Sequence, residues 1–389
     1  MAIHLTYGGS TAARTLQCPA WQRLSVEVPF THDGGNPAAD EGTMLHNCME
    51  KLYDPRTYPN IEFLDELIGE DYQGQVLDDE LLERKLRPAA DALEDLMDKY
   101  DVTEWVVEPF VKISDDMGGS IDFLGRSEDE KTVVIVDYKF GFHGVAVENN
   151  VQAQFYALAA ATDPLTSDWF GDDLETIVVA IIQPNNEGDV CQTWATDLDQ
   201  IDRFETAYLN AVDLTEDPDS PPKSGPACKY CPAEAVCPVK TGVALQATRI
   251  NEITADKLAE YLPIAEEVEA WAKAVKKMAH EQLELGTAIR GYKLVAKRAS
   301  RIWTNLEDVT DKVRRAKKIK LAEGFNSVLK SPAQLEKVCN TLGIDFALHY
   351  EPLISKISSG TTMAQEGDKR KAIIPLAGLE QLNSMNGGV

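Results

Sequence analysis

The spacing of hydrophobic residues predicts helices first and strands afterwards in the first part of this chain. Residues 41–53 and 78–100 repeat their apolar positions with a helical period, and the second stretch is a long amphipathic helix. The pattern then changes to short segments rich in β-branched and aromatic residues, at 104–113, 119–125 and 132–139, with turn-like sequences between them. These three segments predict a meander of strands.

A helical pattern returns at residues 148–161 and precedes a strand at 176–183 that is apolar throughout. Continuously apolar strands are typical of the middle of a sheet that is covered on both faces. The order of elements therefore predicts an α/β fold, in which helices flank a mixed β-sheet.

A proline-rich connection at residues 217–227 and a long helical pattern at 254–286 indicate a different organisation further along the chain. We expect a first domain at residues 1–245, a helical C-terminal region at 246–357 and a poorly ordered tail at 358–389. The tail is rich in Ser, Thr, Gly and charged residues, which cannot bury enough apolar surface to order a chain.

Composition predicts a globular protein of the cytoplasm without a membrane anchor. Of the 389 residues 44% are hydrophobic, yet no run approaches the ~18 apolar residues of a membrane span. Residues 1–17 have no signal-peptide pattern. Seven cysteines in so long a chain do not resemble a secreted disulfide framework, and free thiolates favour a reducing compartment.

The net charge of −26 is unevenly distributed, with −29 on residues 1–250 and +3 on residues 251–389. This acidity weakens a nuclease interpretation, although a metal-dependent active site is itself built from carboxylates. The densest basic run, residues 312–320, has six cations in nine positions. It is either a solvated helix face or a helical arm that follows DNA phosphates.

Two carboxylates and a lysine are predicted to meet at one edge of the sheet. Asp137 and Lys139 end a strand on the same face, about 7 Å apart. Asp122 ends the preceding strand, and antiparallel pairing brings it beside Asp137. Such a pair of carboxylates suits Mg²⁺ or Mn²⁺, and Lys139 is placed to orient the water that attacks a phosphodiester. Surface Asp/Lys pairs on strands are nevertheless common.

Further polar residues are placed to complete this site. His46 shares a helix face with Gly42 and Glu50, and its imidazole is a candidate metal ligand, although a lone helical histidine is more often a core residue. Gln152 and Tyr156 lie one helical turn apart, where they are candidates to contact a DNA backbone. Glu108 ends the first predicted strand and either reaches the metal through water or forms a hydrogen bond nearby.

Four cysteines predict a second metal centre. Cys228, Cys231 and Cys237 lie close together, and the distant Cys18 is the candidate for a fourth ligand. Four thiolates suit a [4Fe-4S] cluster or a structural Zn²⁺ ion. Proline follows Cys18, Cys231 and Cys237, a context found in ferredoxins, which favours iron–sulfur. The alternative is a set of unlinked buried thiols, as expected for Cys48, Cys191 and Cys339.

The ordered set of motifs resembles the RecB-like nucleases of the PD-(D/E)XK superfamily, over about residues 5–240. The branch most similar has a split iron–sulfur cluster, as in AddB-type helicase-nucleases and CRISPR-associated RecB-like exonucleases. The resemblance implies a restriction-endonuclease-like sheet, a metal bound by His46, Asp122, Asp137 and the backbone carbonyl of Tyr138, and a catalytic Lys139. Gly-Ser-Ile-Asp replaces the Pro-Asp of the superfamily name, a variation frequent in the RecB branch.

The resulting hypothesis is a metal-dependent DNA exonuclease that acts in phage DNA recombination, replication or repair in a bacterial cytoplasm. Its expected partners are DNA and a single-strand-annealing, single-strand-binding or helicase protein, and no membrane. A weaker similarity of the C-terminal region to phage proteins supports the phage context. The alternative is a catalytically silent module that binds DNA or a protein partner and is stapled by its metal cluster, and a redox protein is a third possibility.

Overall fold

The computed structural model describes residues 5–26, 28, 37–56, 61–186, 188–248, 255–316, 318–320, 324, 329–357 and 360–374. The chain forms two compact units, Met1–Ala272 and Lys273–Val389. The division falls within one long helix, C-terminal to the boundary expected at residue 245. In the described ranges no helix is both long and apolar enough to cross a bilayer.

A five-stranded mixed sheet is the centre of the first unit, in the order β3-β6-β7-β8-β9. Neighbouring strands run antiparallel except β7 and β8, which are parallel and are joined by a helical crossover. The strands are β3 (Val102–Val107), β6 (Phe123–Ser127), β7 (Thr132–Tyr138), β8 (Thr176–Ile182) and β9 (Cys191–Thr196). The hairpins β1–β2 (Asp71–Tyr72, Gln75–Val76) and β4–β5 (Phe110–Lys112, Gly118–Ser120) stand apart from the sheet.

Helices cover both faces of this sheet. In chain order, the helices of the described residues up to 284 are α1 (Gly9–Gln17), α2 (Trp21–Val26), α3 (Pro37–Tyr53), α4 (Asp79–Leu81), α5 (Arg87–Lys99), α6 (Val151–Thr162), α7 (Leu198–Glu216), α8 (Pro238–Ala247) and α9 (Ala255–Glu284). A π-helical segment, Leu82–Leu86, joins α4 to α5, and 3-10 turns occupy Ile61–Leu67, Ser167–Phe170 and Pro226–Tyr230.

Alternation along β7 explains how one strand serves two cores. Val134 and Val136 are buried with residues of α3 and α5 on one face. Val133 and Ile135 are buried with residues of α1, α6 and α7 on the other. Successive side chains of a strand point to opposite faces, so a strand covered on both sides must be apolar throughout. The predicted α/β class, with helices flanking a mixed sheet, is confirmed.

Several boundaries differ from the sequence-based expectation. The predicted strands 104–113 and 119–125 are each interrupted, and the interruptions at Glu108 and at Asp122 face one another, since the Glu108 N–H donates to the Asp122 carbonyl at 3.2 Å. Glu108 has a φ of +47°, which is uncommon for a residue other than glycine. The helix predicted at 78–100 contains the π-helical segment, where Lys85 lies buried.

In its described residues, the second unit contains two antiparallel strand pairs and, besides the end of α9, three helices. Strand β10 (Tyr292–Ala296) pairs with β13 (Thr361–Gln365), and β11 (Ser300–Trp303) pairs with β12 (Ile354–Ile357). Helices α10 (Leu306–Arg315), α11 (Pro332–Thr341) and α12 (Phe346–Tyr350) follow one another between β11 and β12, with a 3-10 turn at Glu351–Leu353. Their shared core consists of Val309, Val313, Ile319, Leu335, Cys339, Phe346 and Tyr350.

Two expectations for this region need correction. Residues 361–365 belong to the sequence that was expected to be a poorly ordered tail, yet they form β13, because β10 supplies the backbone partners that they lack alone. The basic run 312–320 is helical only as far as Arg315, so it is not a continuous helical arm. Residues 375–389 of the tail, and Lys317 of the basic run, lie outside the described residues.

We predict that Lys85→Met lowers the free energy of unfolding by about 1–3 kcal/mol, because it removes the ion pair with Glu41 and one of the two donors to the Phe140 carbonyl. The Lys85 ammonium pairs with Glu41 at 2.5 Å and donates to the Phe140 carbonyl at 3.0 Å, while its own side chain is 2% exposed. Urea unfolding would measure the change. The matched control, Lys112→Met, alters an exposed lysine and should be neutral. Equal stability of the two variants would contradict the role of Lys85.

Candidate active site

The end of β7 brings together the polar residues that the sequence singled out. Phe123 pairs with Val136, so the next pair along the two chains is Asp122 and Asp137. The Tyr138 N–H donates to Asp122 Oδ2 at 2.6 Å, which ties the two chain segments together at this point. Asp122 and Asp137 therefore stand side by side, as antiparallel pairing predicted.

His46 lies on α3 and approaches the same point from one face of the sheet, whereas α6 packs on the opposite face. Its Nδ1 atom lies 3.3 Å from Asp122 Oδ1. The ring is held between aromatic neighbours, with ring-centroid distances of 5.9 Å to Tyr138 and 5.4 Å to Phe140. One potential ligand atom from each of His46, Glu108 and Asp122 lies within 4.8 Å of the others, a spacing that could hold a metal ion.

Lys139 and Gln152 surround Asp137. The Lys139 ammonium lies 2.9 Å from Asp137 Oδ1 and 2.7 Å from Oδ2. The amide of Gln152, in the first turn of α6, donates to Asp137 Oδ1 at 2.9 Å and accepts from Lys139 Nζ at 3.2 Å. Gln152 is thus bonded to both residues, and its contact with a DNA backbone stays a prediction.

Tyr156 completes this network one turn further along α6. Gln152 Nε2 donates to the Tyr156 hydroxyl at 3.4 Å. The phenol ring lies directly against the start of α1, where a Cβ atom built on Gly9 would come within 2.6 Å of the ring carbon Cζ. Burial raises the pKa of Tyr156, so this hydroxyl is a neutral donor or acceptor.

Burial and mutual repulsion set the charge states of the acidic groups. Burial, reinforced by Asp122, raises the pKa of Glu108 to about 7. Burial also raises the pKa of Asp137 to about 6, against the opposing effect of Lys139. Burial would raise the pKa of Asp122 too, but His46 and the Tyr138 N–H outweigh it and lower that pKa.

The same carboxylates shift the pKa of His46. Burial lowers the pKa of His46, but the Asp122, Asp137 and Glu108 carboxylates outweigh this effect and raise it. Three acidic side chains thus act on one imidazole and make this region attractive to positive charge. Carboxylate oxygens and one imidazole form a donor set that fits Mn²⁺ or Mg²⁺ better than soft metals.

Several contributors to this site were missed in the sequence. Lys85 and Asn185 both donate to the Phe140 carbonyl, at 3.0 and 2.8 Å, and so hold the segment just beyond Lys139. The π-helical segment around Lys85 has no motif of its own, although such segments are frequent at functional sites. Gly9 also gave no signal, because its importance comes from a contact with a residue 147 positions away.

Three of the four predicted cluster ligands, Cys18, Cys228 and Cys231, lie near one another at the far end of α1. Cys18 follows this helix, and its Sγ accepts from the Lys223 N–H at 3.4 Å. The Lys223 carbonyl is in turn 4.0 Å from Cys228 Sγ. Gln17 donates to Cys228 Sγ at 3.5 Å and accepts from the Ala227 N–H at 2.9 Å. These bonds connect the Gln17–Cys18 end of α1 with residues 223–228, about two hundred positions later in the sequence.

Cys231 and Cys237 continue the same turn. Cys231 closes the 3-10 turn Pro226–Tyr230 by donating its N–H to the Cys228 carbonyl at 3.0 Å, and Cys237 caps α8. Burial raises the pKa of the Cys231 thiol, and the nearby Cys228 and Cys18 add to this effect. All of these cysteines are free thiols.

The surroundings of these thiols fit an anionic group. Arg14 lies beside Cys231, and burial lowers the pKa of its guanidinium. Among the described residues its buried Nε has no hydrogen-bond partner. A buried cation and amide donors directed at sulfur are the surroundings that four thiolates around a metal require. Among the described residues no three of these thiols lie within 4.8 Å of one another, so the four-cysteine centre remains a prediction.

The chain belongs to the family described as "Protein of unknown function (DUF2800)", which matches residues 4–371. Among solved structures, one titled "Crystal structure of SSO0001" aligns over 39% of this chain with 12% identity and a TM-score of 0.22. This chain spans 66% of the length of that protein.

We predict that Mn²⁺ binds to the purified protein and that Asp122→Asn weakens this binding by at least about tenfold, since changes around metal ligands typically cost that much. Isothermal titration calorimetry measures the affinity. Asp129→Asn is the matched control, because this exposed aspartate bonds only to Ser127 and to the Lys131 N–H in the described structure. Indistinguishable Mn²⁺ affinities in both variants would contradict the metal site.

We predict that anaerobically purified protein is brown and contains iron, and that Cys18→Ser and Cys231→Ser lose both the iron and much of the soluble yield. Each of these thiols is expected to supply one bond of a cluster that holds the fold together. Cys191→Ser, in β9, is the control that should keep the iron. Colourless protein with one equivalent of zinc would refute the cluster but keep the four-thiolate site, and absence of both metals would refute the centre.

Proposed function

We propose that this chain is a Mg²⁺- or Mn²⁺-dependent deoxyribonuclease, similar to the RecB-like branch of the PD-(D/E)XK superfamily. One observation carries the proposal: the hydrogen-bonded group of Asp137, Lys139 and Gln152 lies at the strand end that also holds Asp122, beside His46 and Glu108. This arrangement combines a hard-metal donor set with a fixed ammonium group, as metal-assisted phosphodiester hydrolysis requires.

The metal would be held by His46, Asp122, Asp137 and the backbone carbonyl of Tyr138, with Glu108 contributing through water. Once bound there, the ion would supply Lewis-acid stabilisation of the negative charge that develops on the phosphate. The chain's own contribution is to hold the ligands in place. The Tyr138 N–H fixes one oxygen of Asp122 and so leaves the other directed at His46.

Lys139 is the proposed catalytic cation. Its ammonium is held between Asp137 and the Gln152 carbonyl oxygen, so its position is set before substrate arrives. From there it can orient the attacking water and stabilise the charge on the phosphate oxygens. Gln152 holds Asp137 and Lys139 in position through hydrogen bonds to both. The Tyr156 hydroxyl in turn accepts a hydrogen bond from the Gln152 amide. The site thus needs little reorganisation during the reaction.

We propose further that the enzyme acts as an exonuclease rather than an endonuclease, in phage DNA recombination, replication or repair. The support is the resemblance of the ordered motifs to RecB-like nucleases, including the four cysteines. A [4Fe-4S] cluster, or alternatively Zn²⁺, would act as a structural staple. The partners that this role calls for are DNA and an annealing, single-strand-binding or helicase protein in the bacterial cytoplasm.

We predict that Asp137→Asn and Lys139→Met each reduce DNA cleavage by about 10²–10³-fold, the usual effect of removing one group that stabilises a transition state. The substrates are end-labelled single- and double-stranded DNA with Mg²⁺ or Mn²⁺, and gel analysis at early times shows whether products shorten stepwise from an end. The matched control is Lys131→Met, which precedes β7 and pairs with Glu175 at the surface.

The same assay distinguishes a nuclease from the main alternative, a catalytically silent module that binds DNA. DNA binding is measured in parallel by fluorescence anisotropy without divalent metal, where both variants should bind like the parent. If the parent binds DNA but never cleaves it under any metal condition, the chain is a silent binding module. Cleavage at the parental rate by both variants, or cleavage unaffected by EDTA, would contradict the assigned site.

A further inference from the structure

A basic pocket of about 400 Å³ lies in the second unit, between the C-terminal end of α10 and the start of α12. Three cationic side chains and a histidine line it, Lys312, Arg315, Lys318 and His349, together with one carboxylate, that of Asp345. The remaining lining includes the apolar Ala316 and Ile344 and the ring of Tyr350. The pocket therefore combines a cationic rim with an apolar floor in an otherwise acidic protein.

The floor of the basic pocket belongs to the core of the unit. Tyr350 is 2% exposed and packs with Phe346, at a ring-centroid distance of 5.6 Å. The Lys312 ammonium lies 6.0 Å from the centre of the Tyr350 ring, and the His349 ring meets the same ring edge-on at 6.3 Å. Two residues of the rim thus contact a ring that the fold holds in place, so the pocket is largely pre-formed.

The acidic groups close to the basic pocket are already engaged. Asp311 pairs with Arg315 at 2.7 Å. The Asp345 carboxylate caps α12 by accepting the Leu348 N–H at 3.1 Å. In the described part of the chain, neither Lys312 nor Lys318 has an acidic partner. Two lysine charges are therefore available to a ligand, next to an apolar surface.

The two kinds of lining select the ligand. A nucleic-acid backbone would satisfy the lysines but leave the apolar floor without a partner, since phosphates and sugars are polar. An isolated apolar segment would leave the lysines unused. An acidic peptide that also carries an apolar side chain matches both surfaces, and concave sites with a few polar groups suit such compact ligands.

We propose that the basic pocket docks an acidic, apolar-ended peptide segment of a partner protein. Its carboxylates pair with Lys312 and Lys318, and its apolar side chain packs against Ile344 and the Tyr350 ring. This proposal gives the basic run a role different from both alternatives that the sequence left open, a solvated helix face and a DNA-tracking arm, because the run ends its helix at Arg315 and lines a cavity. It does not depend on the proposed nuclease activity.

The test uses the full-length protein and a fluorescein-labelled peptide of Gly and Ser followed by aspartates and a C-terminal Leu-Phe. Fluorescence anisotropy in EDTA measures its affinity, so catalysis plays no part. We expect the Lys312→Glu/Lys318→Glu variant to bind about tenfold or more weakly, and binding to weaken as salt is raised. The matched control, Lys337→Glu/Lys356→Glu, makes the same charge change at exposed lysines outside the pocket and should bind normally.

Two further peptides separate the contributions. Replacing the aspartates by asparagine should abolish binding, and replacing Leu-Phe by Ser-Ser should weaken it. If both double variants lost peptide binding equally, the loss would come from the change in net charge alone, and the proposed binding pocket would be wrong. The proposal would also be wrong if the parent protein failed to bind the peptide. If labelled oligothymidylate bound to the parent and this binding were weakened by the Lys312 and Lys318 changes but not by the control changes, the surface would be a nucleic-acid contact instead.

Discussion

Strand β7 is buried on both faces, and the arrangement of the first unit depends on the polar residues at the C-terminal end of this strand. Within the strand, apolar side chains fill two cores. At its end Asp137 remains 6% exposed, so its carboxylate must find partners from the protein itself. Lys139 and Gln152 provide them, and Asp122 is held next to it by the Tyr138 N–H. Burial of the strand thus concentrates polar chemistry at one point.

The sequence predicted the components of this site better than their connections. Asp122, Asp137 and Lys139 were located from strand alternation and antiparallel pairing, both of which are local rules. The bond from Gln152 to Asp137 depends instead on how α6, which lies in the crossover from β7 to β8, packs against the sheet. The left-handed backbone of Glu108 was equally invisible, because a glutamate gives no warning of a positive φ.

The second unit also has structural features that local sequence rules did not predict. Its C-terminal sequence looks too polar to order by itself, and its strand β13 exists because β10 offers a matching edge more than sixty residues earlier. Likewise, the basic run reads as a continuous helix face, but Ala316 ends the helix and turns the chain around a cavity. Long-range pairing and cavity formation are properties of the folded chain and leave no periodic signal.

Helix α1 has a contact at each end that fixes its length. Gly9 at its start lies against the Tyr156 ring, and Cys18 directly after its end accepts a hydrogen bond from the Lys223 N–H. Each residue of an α-helix advances the chain by about 100° of rotation and 1.5 Å. Inserting or deleting a single residue between these two positions would therefore turn the thiol of Cys18 away by about a quarter of a turn. The number of residues between Gly9 and Cys18 is constrained even where their identities are not.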